Sequence, residues 1–393
     1  MKSPVILFIH NFYQISGGED VVFENEIALL ESRGVIVSKY TVHNDSVSGF
    51  FSKLLAALTL SFSLTQFIKI RRYILKVKPE AVHVHNYFPV LTASVFFACK
   101  STNTPLIHTL HNFRAVCPTA TLMHNEHINE KSILGSSWWA VGKKVYRNSF
   151  LGSFAVAIMV ELHKYLGTWH SKVDVYIALT EFTRKKYIDA GWPGRKILVK
   201  PNFICDPFDG ALELNKDGGY CLFIGRLSEE KGLTFLLDAW REHNLPLRVV
   251  GEGPLEQLVV SRTSKDIVYE GRKQKNDVIS LIKHADFIII PSTCYEGFPM
   301  VLVEAFACGT PVLASKLGSL VEIITNGFTG LHFDVGNIND FRKKVQWLID
   351  NPERTREMGQ NARNEYLAKY TPEKNYEMLM DIYQQAIEEA KKR

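Results

Sequence analysis

The segment FIIIPSTCYEGFPMVLVEAFACGTPVLAS, residues 287–315, predicts a strand, a helix and a second strand. Its two apolar runs, FIIIP and PVLAS, are typical of buried strands. Between them, Pro299 favours the start of a helix and Gly309 favours its end. A strand–helix–strand unit predicts a parallel sheet covered by helices. The segment also contains two acids, Glu296 and Glu304, and charged groups are seldom buried without a partner.

Similar apolar runs recur along the whole chain and alternate with helical patterns. In the first half they are VILFIH (5–10), VIVSKYTV (35–42), AVHVH (81–85), PLIHTLH (105–111), VYIALT (175–180) and ILVKPN (197–202). In the second half they are YCLFIG (220–225), LRVVG (247–251), IVYEG (267–271), FIIIP (287–291), PVLAS (311–315) and GLHF (330–333). The pattern predicts an α/β protein with two Rossmann-like, doubly wound domains.

A segment without periodicity separates the two series of strands. FICDPFDGALELNKDGG, which starts at Phe203, is rich in Gly, Asp and Pro and is typical of a linker. A chain of 393 residues is also long enough for two domains. We therefore predict a first domain at 1–203, a second at 204–372 with the joint near 203–217, and a charged C-terminal helix at 373–393 that returns to the first domain.

The charges are distributed unevenly between the two halves. Residues 1–200 contain 23 Lys and Arg against 13 Asp and Glu, whereas residues 201–393 contain 23 against 28. A basic first half favours contact with a membrane face, a phosphorylated substrate or nucleic acid, and a solvated basic surface is the alternative. Recognised nucleic-acid-binding modules are absent from the sequence, so we expect no nucleic-acid partner.

The six cysteines form no C-x-x-C pair, which is typical of a reducing compartment and disfavours a disulfide framework. The N-terminal sequence MKSPVILFIHNFYQ has too short an apolar run for a signal peptide and predicts the first strand instead. The uncharged segments 54–68 and 148–160 are shorter than the roughly 20 residues of a spanning helix. We therefore predict no membrane span.

Ligands of open α/β sheets bind beyond the carboxyl ends of the strands, so the loops after the strands are the candidate sites. After the first strand, Gly17 and Gly18 precede a helix whose N-terminus favours an anion, although tight turns also need glycine. After YCLFIG, Arg226 and Lys231 offer cations to phosphate oxygens, with salt bridges to Glu229 or Glu230 as the alternative. Neither the triphosphatase pattern G-x-x-x-x-G-K-[ST] nor a G-x-G-x-x-G after the first strand is present.

The predicted helix after Glu296 begins with Gly297, Phe298, Pro299, Met300 and Val301. Free backbone N–H groups at such a helix start can hold a phosphate. We interpret Glu296 and Glu304 as acceptors for hydroxyl groups of a polyhydroxy ligand on either side of this position. The alternative is a helix-capping acid together with a satisfied buried acid.

Five histidines lie on or at the ends of predicted strands: His10, His83, His85, His108 and His111. Their spacings match no common zinc-ligand pattern, so we predict no metal site. The histidines are better interpreted as a polar pocket wall in which His111, at a strand end, is the best placed.

Several motifs follow one another along nearly the whole chain: GGED (17–20), HNF (111–113), GRLSEEKG (225–232), GEGP (251–254), EGFPMVLVE (296–304), ACGTPVLAS (307–315) and NGFTGLHF (326–333). In this order and spacing they resemble the retaining glycosyltransferases of family 4. The resemblance implies the GT-B architecture, in which two Rossmann-like domains face each other across a cleft. It also implies transfer of a sugar from a UDP- or GDP-linked donor to an acceptor hydroxyl with retained configuration.

The resemblance implies roles for individual residues as well. Arg226 and Lys231 would hold the diphosphate and stabilise its developing charge without a metal or other cofactor, since no D-x-D pair lies in a suitable loop. Glu304 would bind the ribose, and Glu296 would position the donor sugar without acting as a nucleophile. His111 would contact the donor sugar near the reacting carbon. The other implied donor-binding residues are Gly17, Gly18, Gly251, Glu252, Arg272, Lys273, Gly297, Phe298, Pro299, Met300 and Val301.

The first domain would bind the acceptor, and residues 108–124 resemble family members that build polysaccharides. The segments 50–76 and 138–170 mix aromatic and basic residues, which is typical of helices on an anionic bilayer, with ordinary helix packing as the alternative. We expect a cytoplasmic enzyme, peripheral at the inner face of the plasma membrane, with a glycan or lipid-linked acceptor. A non-catalytic nucleotide-sugar-binding or accessory protein, an epimerase and a phosphorylase of the same fold are the alternatives.

Overall fold

All twelve predicted strands are confirmed by the structure, a computed structural model that describes residues 5–14, 17–44, 59–208, 218–240 and 245–392. The first sheet contains β1 (Val5–Phe12), β2 (Ile36–His43), β3 (Ala81–Val84), β4 (Leu106–Leu110), β7 (Val175–Ala178) and β8 (Ile197–Val199). The second sheet contains β9 (Cys221–Ile224), β10 (Leu247–Val250), β11 (Ile267–Gly271), β12 (Phe287–Ile290), β13 (Val312–Ser315) and β14 (Gly330–Phe333). A two-stranded sheet that was not predicted pairs β5 (Met123–His124) with β6 (His127–Ile128).

Helices connect most of the strands. Those of the first half are α1 (Gly18–Ser32), α2 (Leu64–Val77), α3 (Ser94–Ser101), α4 (Lys131–Leu134), α5 (Trp139–Gly142), α6 (Phe150–Tyr165), α7 (Thr168–Ser171) and α8 (Glu181–Asp189). Those of the second half are α9 (Leu233–Ala239), α10 (Glu256–Ser261), α11 (Lys275–His284), α12 (Met300–Ala307), α13 (Ser319–Ile323), α14 (Ile338–Asp350), α15 (Pro352–Lys369) and α16 (Pro372–Lys391). Two 3-10 turns lie at Gly194–Lys196 and Glu229–Lys231.

The strands of the first sheet lie in the order β2-β1-β3-β4-β7-β8, and all neighbouring strands are parallel. The chain therefore leaves β1 towards one edge of the sheet and returns to its other side at β3. This reversal is a topological switch point, and ligands of open parallel sheets bind at such points, beyond the carboxyl ends of the strands. The loops after β1 and β3 are therefore the expected ligand-binding loops of the first sheet.

The second sheet has the order β11-β10-β9-β12-β13-β14 with parallel neighbours throughout. Counted along the chain, this is the 3-2-1-4-5-6 order of dinucleotide-binding Rossmann folds. Its switch point lies between β9 and β12, where Cys221 pairs with Phe287 and Leu222 with Ile288. The loops after β9 and β12 contain GRLSEEKG and the EGFP segment, so topology places these two motifs side by side.

Packing divides the chain into two units. The first unit comprises Met1–His124, Asn129–Pro201 and Asn375–Arg393, and the second comprises Asn125–Ile128 and Asn202–Lys374. Most of α16 therefore belongs to the first unit, although it follows the second unit in sequence. Of the predicted linker, 203–208 is irregular, while 209–217 lies outside the described residues.

Each unit has its own apolar core. Phe8, Phe23 and Ile107 lie in the first core, to which α16 contributes Leu379 and Tyr383. The buried positions 379, 382, 383, 386 and 390 of α16 recur every three or four residues, so one face of the helix is covered by the sheet. Burial of each large apolar side chain contributes roughly 1.5–3 kcal/mol, and this contribution explains why the last helix packs on the first unit.

In the second unit the core lies between the sheet and the helices α9, α14 and α15. Leu236 and Trp240 pack there with Phe287, Phe341 and Met358. None of the described helices of the chain has the length and apolar content that crossing a bilayer requires. Residues 50–58 of the predicted amphipathic segments lie outside the described residues.

Candidate functional site

Lys231 and Glu296 form an ion pair at the switch point of the second sheet. Lys231 ends the 3-10 turn after β9, and its Nζ lies 2.7 Å from Oε1 and 2.9 Å from Oε2 of Glu296, which follows β12. Ser292 donates its hydroxyl hydrogen to the same carboxylate. The structure thus brings two predicted residues together, and the salt-bridge partner of Lys231 in the described chain is Glu296, not Glu229 or Glu230.

The loop after β9 offers two cations. Burial by itself lowers the pKa of Lys231, but the Glu296 carboxylate outweighs burial and raises this pKa above its usual value. The side chains of the pair remain 31% and 11% exposed, so a ligand can reach them. Arg226 is exposed and makes no salt bridge with any residue that the structure describes. This combination suits an anionic ligand such as a diphosphate.

Gly232 explains why the loops after β9 and β12 approach each other so closely. Its φ is 70°, and a Cβ atom at this position would lie 1.8 Å from the carbonyl oxygen of Pro291. A second close approach occurs at Gly251, where a Cβ would lie 1.9 Å from the carbonyl oxygen of Gly225. Glycine is therefore required for the backbone contact that sets Lys231 beside Glu296.

Glu304 lies on α12, half-buried, and its carboxylate makes no hydrogen bond to any described residue. Burial raises the pKa of its carboxyl group, and Lys275 opposes this shift. At the start of the same helix, the backbone N–H groups of Gly297, Phe298, Met300 and Val301 have no acceptor among the described residues either. The free carboxylate and the free N–H groups together can accept and donate hydrogen bonds to one polar ligand.

The remaining predicted residues of the second unit lie at the carboxyl ends of β10 and β11. Glu252, which follows Gly251, forms an exposed ion pair with Arg272 at 2.8 Å. Lys273 pairs instead with Glu270 at 3.0 Å. The structure therefore brings Glu252 and Arg272 together, but as a surface pair of the type that contributes little to stability.

In the first unit, the predicted anion site at Gly17 and Gly18 already contains an anion from the chain. Gly17 precedes α1, and its N–H donates to Oδ2 of Asp20 at 3.0 Å. The other carboxylate oxygen of Asp20 lies 2.7 Å from Nε2 of His10. The Asp20 side chain therefore satisfies the Gly17 N–H, one of the donors predicted to hold an anionic ligand.

Glu19 lies beside this helix start and was not predicted as a site residue. Its Oε1 accepts a hydrogen bond from Asn86 at 2.9 Å, and its Oε2 lies 3.4 Å from Nδ2 of Asn112. Burial, with repulsion from Asp20 as a further cause, raises the pKa of Glu19 to about 8. At neutral pH most molecules therefore carry a protonated Glu19, and this side chain can donate as well as accept a hydrogen bond.

His111 directly follows β4, as predicted, and its Nε2 lies 3.0 Å from Nδ1 of His85. Burial and the neighbouring His85 hold the pKa of His111 well below its usual value, so the ring is neutral. Glu26, His83 and His85 each place one potential metal-ligand atom within 4.8 Å of the others. The Nζ atom of Lys200, however, lies 2.7 Å from Oε1 of Glu26 and already neutralises this carboxylate.

Sequence reasoning missed Glu19, Glu26, Asn86, Asn112 and Lys200. Each makes its contacts with residues that are tens of positions away, up to the 174 positions between Glu26 and Lys200. The one available signal was an acid on a mostly apolar helix face, as Glu26 is between Phe23 and Leu30 of α1. That signal predicts a need for a partner but does not identify the partner.

Two family models together match most of the chain. The model described as Glycosyltransferase Family 4 matches residues 17–206. The model described as Glycosyl transferases group 1 matches residues 207–365. The boundary between the two matches falls within the predicted linker, so each model corresponds to one series of strands.

Curated relatives are glycosyltransferases too. An uncharacterized glycosyltransferase of Methanocaldococcus jannaschii is 29% identical over 294 residues, which are 73% of this chain and 77% of the relative. The phosphatidyl-myo-inositol mannosyltransferase of Mycobacterium tuberculosis is 32% identical over 41% of this chain and 45% of its own length. The lipopolysaccharide 1,2-N-acetylglucosaminetransferase of Salmonella typhimurium is 29% identical over 40% and 49%. The matches to the last two cover about half of each relative.

Solved structures with the same fold cover nearly the whole chain. Sucrose-phosphate synthase from Thermosynechococcus elongatus has a TM-score of 0.72 at 19% identity and covers 97% of this chain and 98% of its own. Anabaena HepE, solved in complex with UDP, has a TM-score of 0.67 at 16% identity and covers 96% and 99%. These similarities confirm the predicted two-domain α/β fold.

Proposed function

Because the chain belongs to the family 4 glycosyltransferases and has the GT-B fold, we propose that it transfers a sugar from a UDP- or GDP-linked donor to an acceptor hydroxyl with retention of anomeric configuration. The observation that carries the proposal is the accessible Lys231–Glu296 pair, with Arg226, which forms no ion pair with a described residue, in the same loop. A site with two cations and backbone N–H groups that lack an acceptor in the described chain suits a diphosphate. Anabaena HepE, which shares the fold, is solved with UDP and with UDP-glucose, and this supports a nucleotide-sugar donor.

The chemistry of the proposed site is electrostatic. Arg226 and Lys231 stabilise the negative charge that develops on the leaving diphosphate, so the reaction needs no metal ion. Both oxygens of Glu296 accept hydrogen bonds from Lys231, and Oε1 accepts a further one from Ser292. A carboxylate engaged in this way positions the donor and is a poor nucleophile. The carboxylate of Glu304, which makes no hydrogen bond within the described chain, binds a pair of ribose hydroxyls.

The experiment is a donor-binding panel. UDP, GDP, ADP and their common sugar conjugates are added with chelator to the wild type and to Lys231→Ala, and the melting temperature is recorded. One nucleotide class is expected to stabilise the wild type and not Lys231→Ala, because ligands that bind the native state raise its stability by mass action. Arg354→Ala is the matched control, since Arg354 is an exposed cation of the same unit that pairs with Glu357.

Turnover of the stabilising donor separates the enzyme from its alternatives. Transfer or donor hydrolysis by the wild type, with the product anomer assigned by NMR, supports a retaining transferase. Binding without turnover leaves the non-catalytic protein, and inversion at a ring carbon of the donor sugar identifies an epimerase. Turnover that disappears with chelator contradicts the metal-independent mechanism.

The acceptor is proposed to be lipid-linked because the first unit exposes an apolar and basic surface, the α4–α6 surface. Leu134, Phe150 and Leu151 are 82%, 55% and 67% exposed, and Trp138 and Phe154 contact each other beside them. Exposed cations of the same segment are Lys131, Lys143, Lys144, Arg147 and Lys164. Exposed apolar side chains beside several cations are typical of contact with an anionic membrane surface.

Vesicle co-sedimentation tests this surface. We expect binding to vesicles that contain anionic phospholipid and weaker binding to purely zwitterionic vesicles. The double variant Phe150→Ser/Leu151→Ser should weaken binding to the anionic vesicles, while Val260→Ser, an exposed apolar residue of the second unit, should not. Equal binding to both vesicle types, or none, contradicts the membrane proposal and leaves the transferase proposal intact.

A further inference from the structure

Glu26 is a carboxylate in the interior of the first unit with no exposed side-chain surface. The same is true of its neighbour Lys200, and the pair is joined by a distance of 2.7 Å between Nζ and Oε1. Asn375 on α16 lies 3.3 Å from the same Nζ. Burial alone raises the pKa of Glu26, but Lys200 and then His85 outweigh it and hold the pKa well below its usual range. The carboxylate is therefore ionised and can only accept hydrogen bonds.

The second oxygen of Glu26 faces His85. Oε2 of Glu26 and Nε2 of His85 lie 3.3 Å apart, although neither atom makes a hydrogen bond of ordinary geometry to any described residue. Because the carboxylate cannot donate, this close approach is favourable only when Nε2 of His85 carries a hydrogen. Lys200 already balances the charge of Glu26, so a further buried positive charge on His85 would be uncompensated. The ring of His85 is therefore neutral, and its Nδ1 is an acceptor.

The opposite side of His85 contacts His111. Nδ1 of His85 and Nε2 of His111 are 3.0 Å apart. Since Nδ1 of His85 accepts, Nε2 of His111 must donate, and a neutral His111 then carries no hydrogen on Nδ1. This Nδ1 makes no hydrogen bond among the described residues. The chain of contacts from Lys200 through Glu26 and His85 thus determines which hydrogen-bonding role His111 offers to a ligand.

We propose that Glu26, His85 and Lys200 are positioning residues that hold His111 in its Nε2–H tautomer, with Nδ1 free to accept a hydrogen bond from a ligand hydroxyl. The identity of the ligand as a sugar rests on the proposed function, whereas the tautomer does not. A group that donates, such as a sugar hydroxyl, fits this nitrogen, and a phosphate oxygen does not. A metal ion on Glu26, His83 and His85 is the competing interpretation of the same atoms.

Glu26→Gln is expected to reverse the direction of donation between residue 26 and His85 and between His85 and His111, while Lys200 still donates to residue 26. The amide oxygen of Gln would face Lys200, which can only donate, and the amide NH₂ would then face His85. His85 would have to carry its hydrogen on Nδ1 and donate it to Nε2 of His111, whose own hydrogen would move to Nδ1. Glu24→Gln is the matched control, since Glu24 is an exposed acid of the same helix, 3.8 Å from Lys39.

The measurement is a long-range ¹H–¹⁵N correlation spectrum of the full chain labelled with ¹⁵N-histidine, with His111 assigned from the signals lost in His111→Gln. We expect the Nε2–H tautomer of His111 in the wild type and in Glu24→Gln, and the Nδ1–H tautomer in Glu26→Gln. An Nδ1–H tautomer in the wild type, an unchanged His111 in folded Glu26→Gln, or stoichiometric zinc that Glu26→Gln loses would each overturn the proposal.

If Glu26→Gln fails to fold, His85→Leu serves in its place, because it removes the acceptor and leaves Glu26 paired with Lys200. His111 is then expected to become a mixture of tautomers, and a pure Nε2–H form would contradict the proposal. Donor hydrolysis provides the second readout: Glu26→Gln should lower kcat by about tenfold with KM for the donor unchanged, as expected for one lost hydrogen bond in the transition state. If no donor is turned over, the proposed function is wrong, and the NMR spectra still test the tautomer of His111 independently.

Discussion

The two units use the same pair of residue types in opposite ways. Glu26 and Lys200 in the first unit, and Glu296 and Lys231 in the second, each have an N–O distance of 2.7 Å. The first pair is fully buried, whereas the side chains of the second are 11% and 31% exposed. A sealed pair cannot exchange its partner and acts as a scaffold, but an accessible lysine can transfer its hydrogen bonds to a phosphate that arrives.

Removal of the lysine from each pair should give the largest difference in stability between the two units. We expect Lys200→Met to destabilise the first unit by about 3–5 kcal/mol, because it leaves a buried carboxylate without compensation. Lys231→Met should cost the second unit about 1 kcal/mol, since water and Ser292 can still solvate Glu296. Urea-dependent hydrogen exchange, read separately on peptides of each unit, measures both values.

The control for this comparison is the double variant Lys200→Met/Glu26→Leu. Removing both charges leaves no unpaired group, so part of the lost stability should return. Equal costs for Lys200→Met and Lys231→Met would show that burial does not distinguish the two pairs.

The second unit should depend more on glycine at its switch point than on glycine elsewhere. Gly232→Ala is expected to cost about 2–3 kcal/mol, from a positive φ and from the clash of the new Cβ with Pro291. Gly271→Ala is the matched control, because its φ of 68° is nearly the same but nothing lies within 4 Å of the new Cβ, so about 1 kcal/mol is expected.

The midpoint of urea unfolding of the second unit gives both values. A cost for Gly232→Ala no larger than that for Gly271→Ala would mean that the loop moves away from Pro291 without loss. The close approach of the two loops would then not depend on glycine, and the geometry of Lys231 and Glu296 would need another cause.

The smallest expected effect concerns Glu19, an acid that forms no ion pair with a described lysine. Its pKa in the folded protein is about 8, above the unfolded value near 4.5, so the folded state binds more protons between these values. Stability should therefore fall as pH rises through this window, and Glu19→Gln should remove that part of the fall. The difference in unfolding free energy between Glu19→Gln and wild type should change by about 1 kcal/mol from pH 6 to pH 7.

Glu304→Gln tests the pH dependence of stability in the second unit. The pKa of Glu304 is also raised by burial, so the same sign is expected. A stability difference for Glu19→Gln that is constant between pH 5 and pH 8 would contradict the raised pKa.

Many features of the fold and the site could be predicted from the sequence alone. The strand FIIIP, the helix that follows it and the loop position of Glu296 were predicted, and the structure has β12, α12 and Glu296 in those positions. Lys231 and Glu296 were both selected, because a cation and an acid after buried strands need an explanation. Their contact with each other was not predicted, since it spans 65 positions and depends on β9 lying beside β12.

The α/β class, the two series of strands and the loops where chemistry belongs follow from the amino-acid sequence alone, because apolar periodicity and glycine act over a few residues. Which polar groups meet depends on the tertiary structure. The fold encloses Glu26 with Lys200 and His85, pairs the Gly17 N–H with Asp20, and leaves the Glu304 side chain without a hydrogen-bond partner among the described residues. Charge compensation depends on distance in space and on burial, and these follow from strand order, which no local pattern records.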